Sequence, residues 1–265
     1  MLDNFLNLYH TYGIFSAPVI GVLIATGFVV GFINTLAGMA TVITYALFMA
    51  MGMPINIANG TTRVGILAQF AVSSAIFKKE GYLDVKLSWK IAIPIAIGSF
   101  AGAELVAALN TQIIEVTMGI LLPIMAIFLL FFNKAKNSIT HIASQKMNYW
   151  KFIIFIMVGL YGGFTHSGVG ILIIFGTMIF MGTDIMKANA TKQFAVLIYT
   201  PLALAVFMWH NQINWPVALV YAIGNVFGAI IASRVAIKWG TTFINWCVAT
   251  AVLLISFWLI YKQFY

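Results

Sequence analysis

Long apolar runs fill most of the chain, and only short polar gaps separate them. The runs fall at about 17–36, 39–52, 62–77, 87–109, 113–132, 151–164, 169–182, 193–209, 215–238 and 242–261. A helix needs about 20 residues to cross a hydrocarbon core of about 30 Å, so most runs predict membrane-spanning helices. The runs 39–52, 151–164 and 169–182 rise only about 21 Å as helices. We expect these three to be tilted, broken or re-entrant.

The pattern repeats without gaps at an offset of 130 residues. Ala58-Asn59-Gly60-Thr61 matches Ala188-Asn189-Ala190-Thr191, and the register holds from about Gly38 to Asn110. Each half then contains five apolar runs. The sequence therefore predicts an all-α polytopic membrane protein made of two internal repeats. We expect an amphipathic N-terminal segment at 1–16, repeats at 17–132 and 151–265, and a basic cytoplasmic linker at 133–150.

Composition supports this class and excludes others. Hydrophobic residues make up 62% of the chain and charged residues 8%, whereas a soluble domain carries about 25% charged residues. A soluble globular enzyme and a disordered chain are both excluded. Cys247 is the only cysteine, which excludes an intramolecular disulfide and a cysteine-type zinc site. The pattern calls for no cofactor or metal.

Basic residues lie mostly in the short gaps, so we interpret the net charge of +8 as a topology signal. It does not indicate a nucleic acid partner. Segment 78–90 and the central linker should be cytoplasmic. With five crossings per half, Lys187, Lys192, Arg234 and Lys238 also fall inside and the repeats are inverted. If each short pair counts as one crossing, the repeats are parallel; we prefer the inverted arrangement.

Small residues line one face of the fourth run in each half. Pro94, Gly98 and Gly102 align with Gly224, Gly228 and Ala232 at the repeat offset. Four-residue spacing places each trio on one helix face, where another backbone can approach closely. We expect the two halves to clasp each other through these faces.

Two glycine-bearing breaks, at 31–38 and 162–170, interrupt the first pair of runs in each half. Interrupted segments at matching positions of two repeats indicate a transporter site. Helices that restart at Met39 and Val169 would direct N–H groups into a cavity that favours an anion. Simple tight turns are the alternative. The candidate ligands in the breaks are Asn34, Thr35, Thr165, His166 and Ser167.

A second candidate site is Asn59-Gly60-Thr61-Thr62-Arg63 with its counterpart Asn189-Ala190-Thr191-Lys192-Gln193. Both stretches precede an apolar run, so the two asparagines are expected to act as N-caps. A cation in the first helical turn opposes the helix dipole until an anion arrives. The alternative is that Arg63 reaches a lipid headgroup and that Lys192 follows the positive-inside bias.

Glu104 and Arg234 occupy equivalent repeat positions, and the inverted topology places them toward opposite faces. Glu104 is a candidate for binding a coupling proton; an interfacial carboxylate is the alternative. His166 is the only histidine well inside a segment. Neither facing histidines for haem, nor paired intramembrane carboxylates, nor a Ser/His/acid set is evident. The sequence predicts no enzyme.

Together these features resemble the sulfite exporter TauE/SafE family. The similar features are the first break, Ala58-Asn59-Gly60-Thr61-Thr62-Arg63, the turn at 78–81, the second break and Lys187-Ala188-Asn189-Ala190-Thr191-Lys192. Family members often carry a glycine run in the first break, whereas Met39-Ala40-Thr41 follows Gly38 here. The resemblance implies export or exchange of sulfite, sulfonates or organic acids across a bacterial inner membrane, with proton coupling in some members.

We therefore predict a secondary transporter of small anions that works by alternating access between the two repeats. An anion channel is one alternative, and a non-transporting membrane subunit or membrane-embedded enzyme is another. The expected partners are a small anion and the lipid bilayer, and a homo-oligomer is possible. The predicted substrate-binding residues are Asn59, Thr61, Arg63, Asn189, Thr191 and Lys192, together with Asn34, Thr35, Thr165, His166 and Ser167.

Overall fold

A computed structural model describes residue 13 and residues 16–120 and 146–264. For residues 241–264 it describes the backbone only. Most of the predicted N-terminal segment 1–16 and most of the linker 133–150 lie outside the described residues. In the described part every regular element is a helix. The helices are α1 (Ala17–Leu36), α2 (Thr41–Ala50), α3 (Ile55–Lys79), α4 (Val85–Ala108), α5 (described over 111–120), α6 (Tyr149–Phe164), α7 (Val169–Met181), α8 (Ile185–Trp209) and α9 (Trp215–Phe264).

Among the described residues, four helical segments are long and apolar enough to cross a membrane. They are α1, α4, α8 and the part of α9 from Trp215 to Gly240, where the backbone leaves helical geometry at φ 71° and ψ −162°. The predicted short runs are short helices: α2 has 10 residues, α6 has 16 and α7 has 13. The chain is a multi-pass membrane protein, as the sequence predicted.

The sequence repeat is also a repeat of helices. The helices α3 and α8 span Ile55–Lys79 and Ile185–Trp209, so both of their ends differ by 130 residues. The helices α4 and α9 begin at Val85 and Trp215, at the same offset. The two halves therefore fold into matching series of helices.

The two halves interlock through the small-residue faces. Gly98 of α4 lies directly against the backbone of Ile156 and Leu160 in α6, with no room for a Cβ. Gly228 of α9 lies in the same way against Phe28 of α1. The first helix of each half thus packs on the fourth helix of the other half, which confirms the predicted close packing.

At the centre, α3 and α8 cross in opposite directions. Arg63 near the start of α3 lies against Phe207 near the end of α8, with the guanidinium carbon 5.5 Å from the ring centroid. Further along α3, the Phe70 ring lies 5.8 Å from Nζ of Lys192, near the start of α8. These two helices carry the paired polar stretches, so the antiparallel crossing brings both stretches into one interior.

Candidate functional site

The two glycine-bearing breaks meet at the centre of the molecule. Gly38 has a φ of +79°, and a Cβ added there would lie 2.6 Å from Cα of Gly170. Only glycine tolerates both the positive φ and this approach. The breaks that the sequence placed 130 residues apart are therefore in direct contact.

Arg63 reaches from α3 of the first half to the break of the second half. Its side chain is fully buried. Nη1 donates to the carbonyl of Gly162 at 2.9 Å, and Nη2 donates to that of Gly163 at 2.7 Å. Nε and Nη2 also donate to Oδ1 of Asn59 at 3.3 and 3.2 Å. The guanidinium thus covers the C-terminal end of α6, whose last carbonyls have no partner within the helix.

Lys192 makes the reciprocal contact from the second half to the first. Its buried ammonium donates to the carbonyls of Asn34 and Thr35 at 2.9 and 2.8 Å, at the end of α1. The neighbouring Gln193 donates to the Thr35 carbonyl at 2.7 Å and to Oδ1 of Asn189 at 3.2 Å. Gln193 is the repeat equivalent of Arg63. In both halves, therefore, the side chain at this position donates to the break of the other half, but the type of side chain differs.

The predicted capping role of the two asparagines is wrong. The helix α3 begins at Ile55 after Pro54, and α8 begins at Ile185 after the N-cap Asp184. Asn59 and Arg63 therefore lie inside a helix, beyond its first turn. The early turns of both helices mix polar and apolar residues, so the apolar pattern begins later than the helix does.

In the first break, Asn34 fixes the start of the next helix. Its Oδ1 accepts from the backbone N–H of Ala40 at 2.7 Å, and its Nδ2 donates to Oγ1 of Thr41 at 3.1 Å. The helix α2 consequently begins at Thr41 rather than at Met39. The second break has no equivalent side-chain cap, and α7 begins at Val169 as expected.

The second break presents polar side chains that have unused bonding capacity. His166 adopts a φ of +58°, and its Nδ1 lies 2.6 Å from the hydroxyl of Tyr199. Thr165 Oγ1 and Asn189 Nδ2 are buried without a hydrogen-bond partner. Ser167 is buried as well, and its carbonyl accepts from Tyr161 at 2.7 Å. A buried donor without a partner costs about 1–3 kcal/mol, and a bound acceptor would recover that cost.

Three of the predicted functional residues lie away from this cluster. Thr61 Oγ1 accepts from the backbone N–H of Asn214 at 2.9 Å, and Thr191 Oγ1 lies 3.2 Å from the Ser88 hydroxyl. Glu104 lies 3.3 Å from Nε2 of His210 at one end of the molecule, with 44% of its side chain exposed. These side chains are not part of the central arrangement.

Three further polar residues belong to the cluster and were not among the predicted ligands. Tyr45 donates to the carbonyl of Thr165 and lies 3.1 Å from Oδ1 of Asn59. Gln69 contacts Thr35 Oγ1 at 3.4 Å, and its repeat equivalent is Tyr199. A polar side chain inside an apolar run, at matching repeat positions, is the signal that identifies Gln69 and Tyr199.

The site has an excess of positive charge. Among the described residues, neither Arg63 nor Lys192 has a carboxylate partner; the ion pairs found are Lys187 with Asp184 and His210 with Glu104. The partners of the buried cations are neutral oxygens, and four of them are carbonyls at two helix C-termini, those of α1 and α6. A helix C-terminus is equivalent to about −0.5 charge. Two basic side chains therefore meet about one unit of negative charge.

A scan against family models matches residues 23–259 to "Sulfite exporter TauE/SafE". The chain belongs to the sulfite exporter TauE/SafE family. This match confirms the resemblance inferred from the motifs.

The curated relatives are bacterial proteins of similar length. A "Probable membrane transporter protein" of Haemophilus influenzae is 25% identical over 248 residues, 93% of this chain and 94% of its own. "Probable membrane transporter protein ORF9" of a Sinorhizobium species is 26% identical over 84% of this chain and 85% of its own length. "Probable membrane transporter protein YfcA" of Escherichia coli K12 is 24% identical over 94% of this chain and 92% of its own length. No solved structure matches the chain. The protein is a member of a membrane transporter family.

Proposed function

We propose that this protein is a secondary transporter of small anions, with sulfite, sulfonates and related organosulfur or organic acids as its substrate class. The family match and the names of the relatives support transport. The chemistry of the centre supports an anion as the transported species. An anion channel and a non-transporting subunit are the competing functions that the experiments below must separate.

The excess positive charge at the centre carries the proposal. Arg63 and Lys192 are both 0% exposed, and the protein offers them helix ends instead of carboxylates. Removing an ion from water costs several kcal/mol, and carbonyl dipoles recover only part of that cost. A small anion between the two cations would supply the missing charge. A cationic or neutral apolar substrate would not supply this negative charge.

The proposed ligands are the side chains that surround the two breaks. Hydroxyl and amide groups would donate to the oxyanion while the two cations neutralise it. Thr61 and Thr191 stand outside this set, because their hydroxyls already bond to neighbouring elements. The proposed set is Asn59, Arg63, Asn189, Lys192, Asn34, Thr35, Thr165, His166 and Ser167.

For the mechanism we propose alternating access by two inverted repeats. The antiparallel crossing of α3 and α8 supports this arrangement, since equivalent helices of inverted repeats run in opposite directions. Each cation bonds to the break of the other half. A bound anion would compete with the carbonyls of Gly162, Gly163, Asn34 and Thr35 for the cations. Weakening these bonds would release one break from the opposite half and open one side of the site.

Glu104 remains our proposal for a coupling proton site, since it is a carboxylate near the end of α4 that lies against His210. The substitution Glu104→Gln keeps a hydrogen-bonding group but removes the titrating proton. We expect anion binding to persist while the proton flux that accompanies anion uptake into vesicles is lost. A pH-sensitive dye inside the vesicles measures the flux. Unchanged proton flux in the variant would contradict this role.

The function is tested first by thermal unfolding of the detergent-purified protein with sulfite, sulfoacetate, thiosulfate, sulfate, acetate, lactate and chloride at matched ionic strength. A ligand at 100 times its Kd stabilises by about 2.7 kcal/mol. We expect one class of anion to raise the melting temperature. That anion is then loaded into vesicles. Counterflow identifies a carrier. Rapid flux that does not saturate and shows no counterflow identifies a channel. If the folded protein responds to no anion and vesicles show no flux, the proposal is wrong.

A further inference from the structure

A groove of about 260 Å³ lies at the end of the molecule between α3 and α9. Its walls are Ile76, Lys79 and Glu80 from the end of α3 and Arg234, Ile237 and Lys238 from α9. Residue 79 is 16 positions beyond Arg63, which is about 24 Å along a helix. The groove walls include none of the proposed anion ligands, although Ile237 packs in one cluster with Leu36 and Met39 beside the first break.

The walls combine positive charge with apolar surface. Three of the six side chains are cationic and one is a carboxylate. Arg234 and Lys238 are four residues apart and share one helix face. Ile76 and Ile237 supply the apolar part. Trp239, next along α9, is 60% exposed, as is common for tryptophan at a membrane interface. This combination fits a ligand that has an anionic head and an apolar body.

The internal repeat provides a comparison within the same molecule. The equivalents of the six wall residues are Val206, Trp209, His210, Glu104, Ala107 and Ala108. This set contains no lysine or arginine, and its carboxylate contacts His210. If helix packing alone produced the groove, the repeat-equivalent position would have a similar surface. Within the part of the chain that the structure describes, the repeat-equivalent position therefore lacks this cluster of cations.

The end of the molecule that holds the groove also carries other basic residues. Lys86 and Lys90 follow the short turn after α3, and Lys187 lies in the first turn of α8, where Ala188 packs in one cluster with Phe77 of α3. Excess lysine and arginine mark the cytoplasmic side of membrane proteins. Anionic lipids give that leaflet a negative surface potential.

We propose that this groove binds the phosphate headgroup of an anionic phospholipid, with the acyl chains along Ile76 and Ile237. The headgroup would contact Lys79, Arg234 and Lys238. Because α3 and α9 belong to different halves of the protein, the lipid holds the two halves together at this end. The ligand is a lipid rather than a free phosphate, because two of the three wall residues other than the cations, Ile76 and Ile237, are apolar.

The test compares phosphatidylglycerol with phosphatidylcholine of the same acyl chains, added to the detergent-purified protein and measured by native mass spectrometry and thermal unfolding. The double variant Arg234→Gln, Lys238→Gln removes two groove cations. The matched control Lys86→Gln, Lys90→Gln removes two lysines of α4 with the same spacing and charge. At about 1 kcal/mol for each basic residue, we expect the groove variant to bind phosphatidylglycerol about 30-fold more weakly. The control should keep its affinity.

Two further arms keep the proposal testable if the double variant unfolds. Glu80→Gln removes the carboxylate of the groove and should strengthen phosphatidylglycerol binding. Glycerol 3-phosphate, which has the charge without the chains, should not stabilise the wild type at the same concentration. Equal binding of both lipids, equal losses in the groove and control variants, or full stabilisation by glycerol 3-phosphate would each overturn the proposal.

Discussion

The central residues are two cations whose partners are backbone carbonyls. Arg63 and Lys192 come from equivalent helices, yet they are not at equivalent positions: the counterpart of Arg63 is Gln193, and that of Lys192 is Thr62. Each half therefore supplies one positive charge from a slightly different place. The two basic side chains are therefore arranged without twofold symmetry in the proposed anion site.

Arg63→Gln tests the role of charge at this scale. The shorter amide still provides donors for nearby oxygens, but the positive charge is lost. We expect the stabilisation by a bound anion, about 2.7 kcal/mol at 100 times its Kd, to disappear. Without anion we expect the variant to be less stable by about 1–3 kcal/mol, because the buried carbonyl of Gly163 loses its donor. Thermal unfolding with and without the anion measures both effects.

The matched control is Lys187→Gln, which removes an exposed lysine near the start of the helix that carries Lys192. It changes the net charge equally but leaves the centre intact, so it should keep the full anion response. Equal losses in both variants would show a general charge effect. A full response in Arg63→Gln would place the anion elsewhere.

Among the secondary-structure elements, the breaks depend on close backbone contact between the two halves. Gly38 combines a positive φ with a contact to Gly170 that leaves no space for a side chain. Gly52 has a similar φ of +85°, but open space surrounds its Cβ position. This pair separates the cost of backbone strain from the cost of disturbing the site.

We expect Gly52→Ala to destabilise the protein by about 1–2 kcal/mol, the cost of a side chain in left-handed geometry. Gly38→Ala should cost more and should also weaken anion stabilisation, because the added methyl group pushes the two breaks apart. Thermal unfolding of both variants, with and without the anion, is the measurement. Equal destabilisation of the two variants would mean that contact between the breaks contributes nothing.

Across the whole molecule, the proposed site is buried. Thr165, His166 and Ser167 are at most 3% exposed, so alternating access at this site would require movement. Close packing joins α1 to α9 and α4 to α6 across the two halves, and we expect each of these pairs to move as one unit. Relative motion of these units would expose the centre to one side at a time.

Cysteine labelling tests this motion. In a Cys247→Ala background, Thr165→Cys places a thiol where the hydroxyl has no partner. We expect a membrane-impermeant thiol reagent to label it slowly from either side of sealed vesicles, and faster during anion transport. The exposed control Lys78→Cys should be labelled quickly and from one side only. Labelling of the control without any labelling of Thr165→Cys would contradict alternating access.

The sequence by itself determined the membrane class, the repeat and the small-residue faces. These follow from local rules: a bilayer requires long apolar runs, and close helix packing requires small residues at regular spacing. The matching ends of α3 and α8 show how far the repeat reaches. The sequence also located both breaks, because glycine at matching positions interrupts an apolar pattern.

Only the tertiary structure decided which polar groups meet. Arg63 bonds to Gly162 across 99 residues of chain, and a backbone carbonyl has no side chain to mark it in the sequence. The interior position of Asn59 in α3 was hidden because polar residues occupy the early turns of that helix. Thr61 and Arg63 are close in sequence but bond to different elements, since side chains two residues apart on a helix point in different directions. Long-range packing selected the site from the candidates that local pattern supplied.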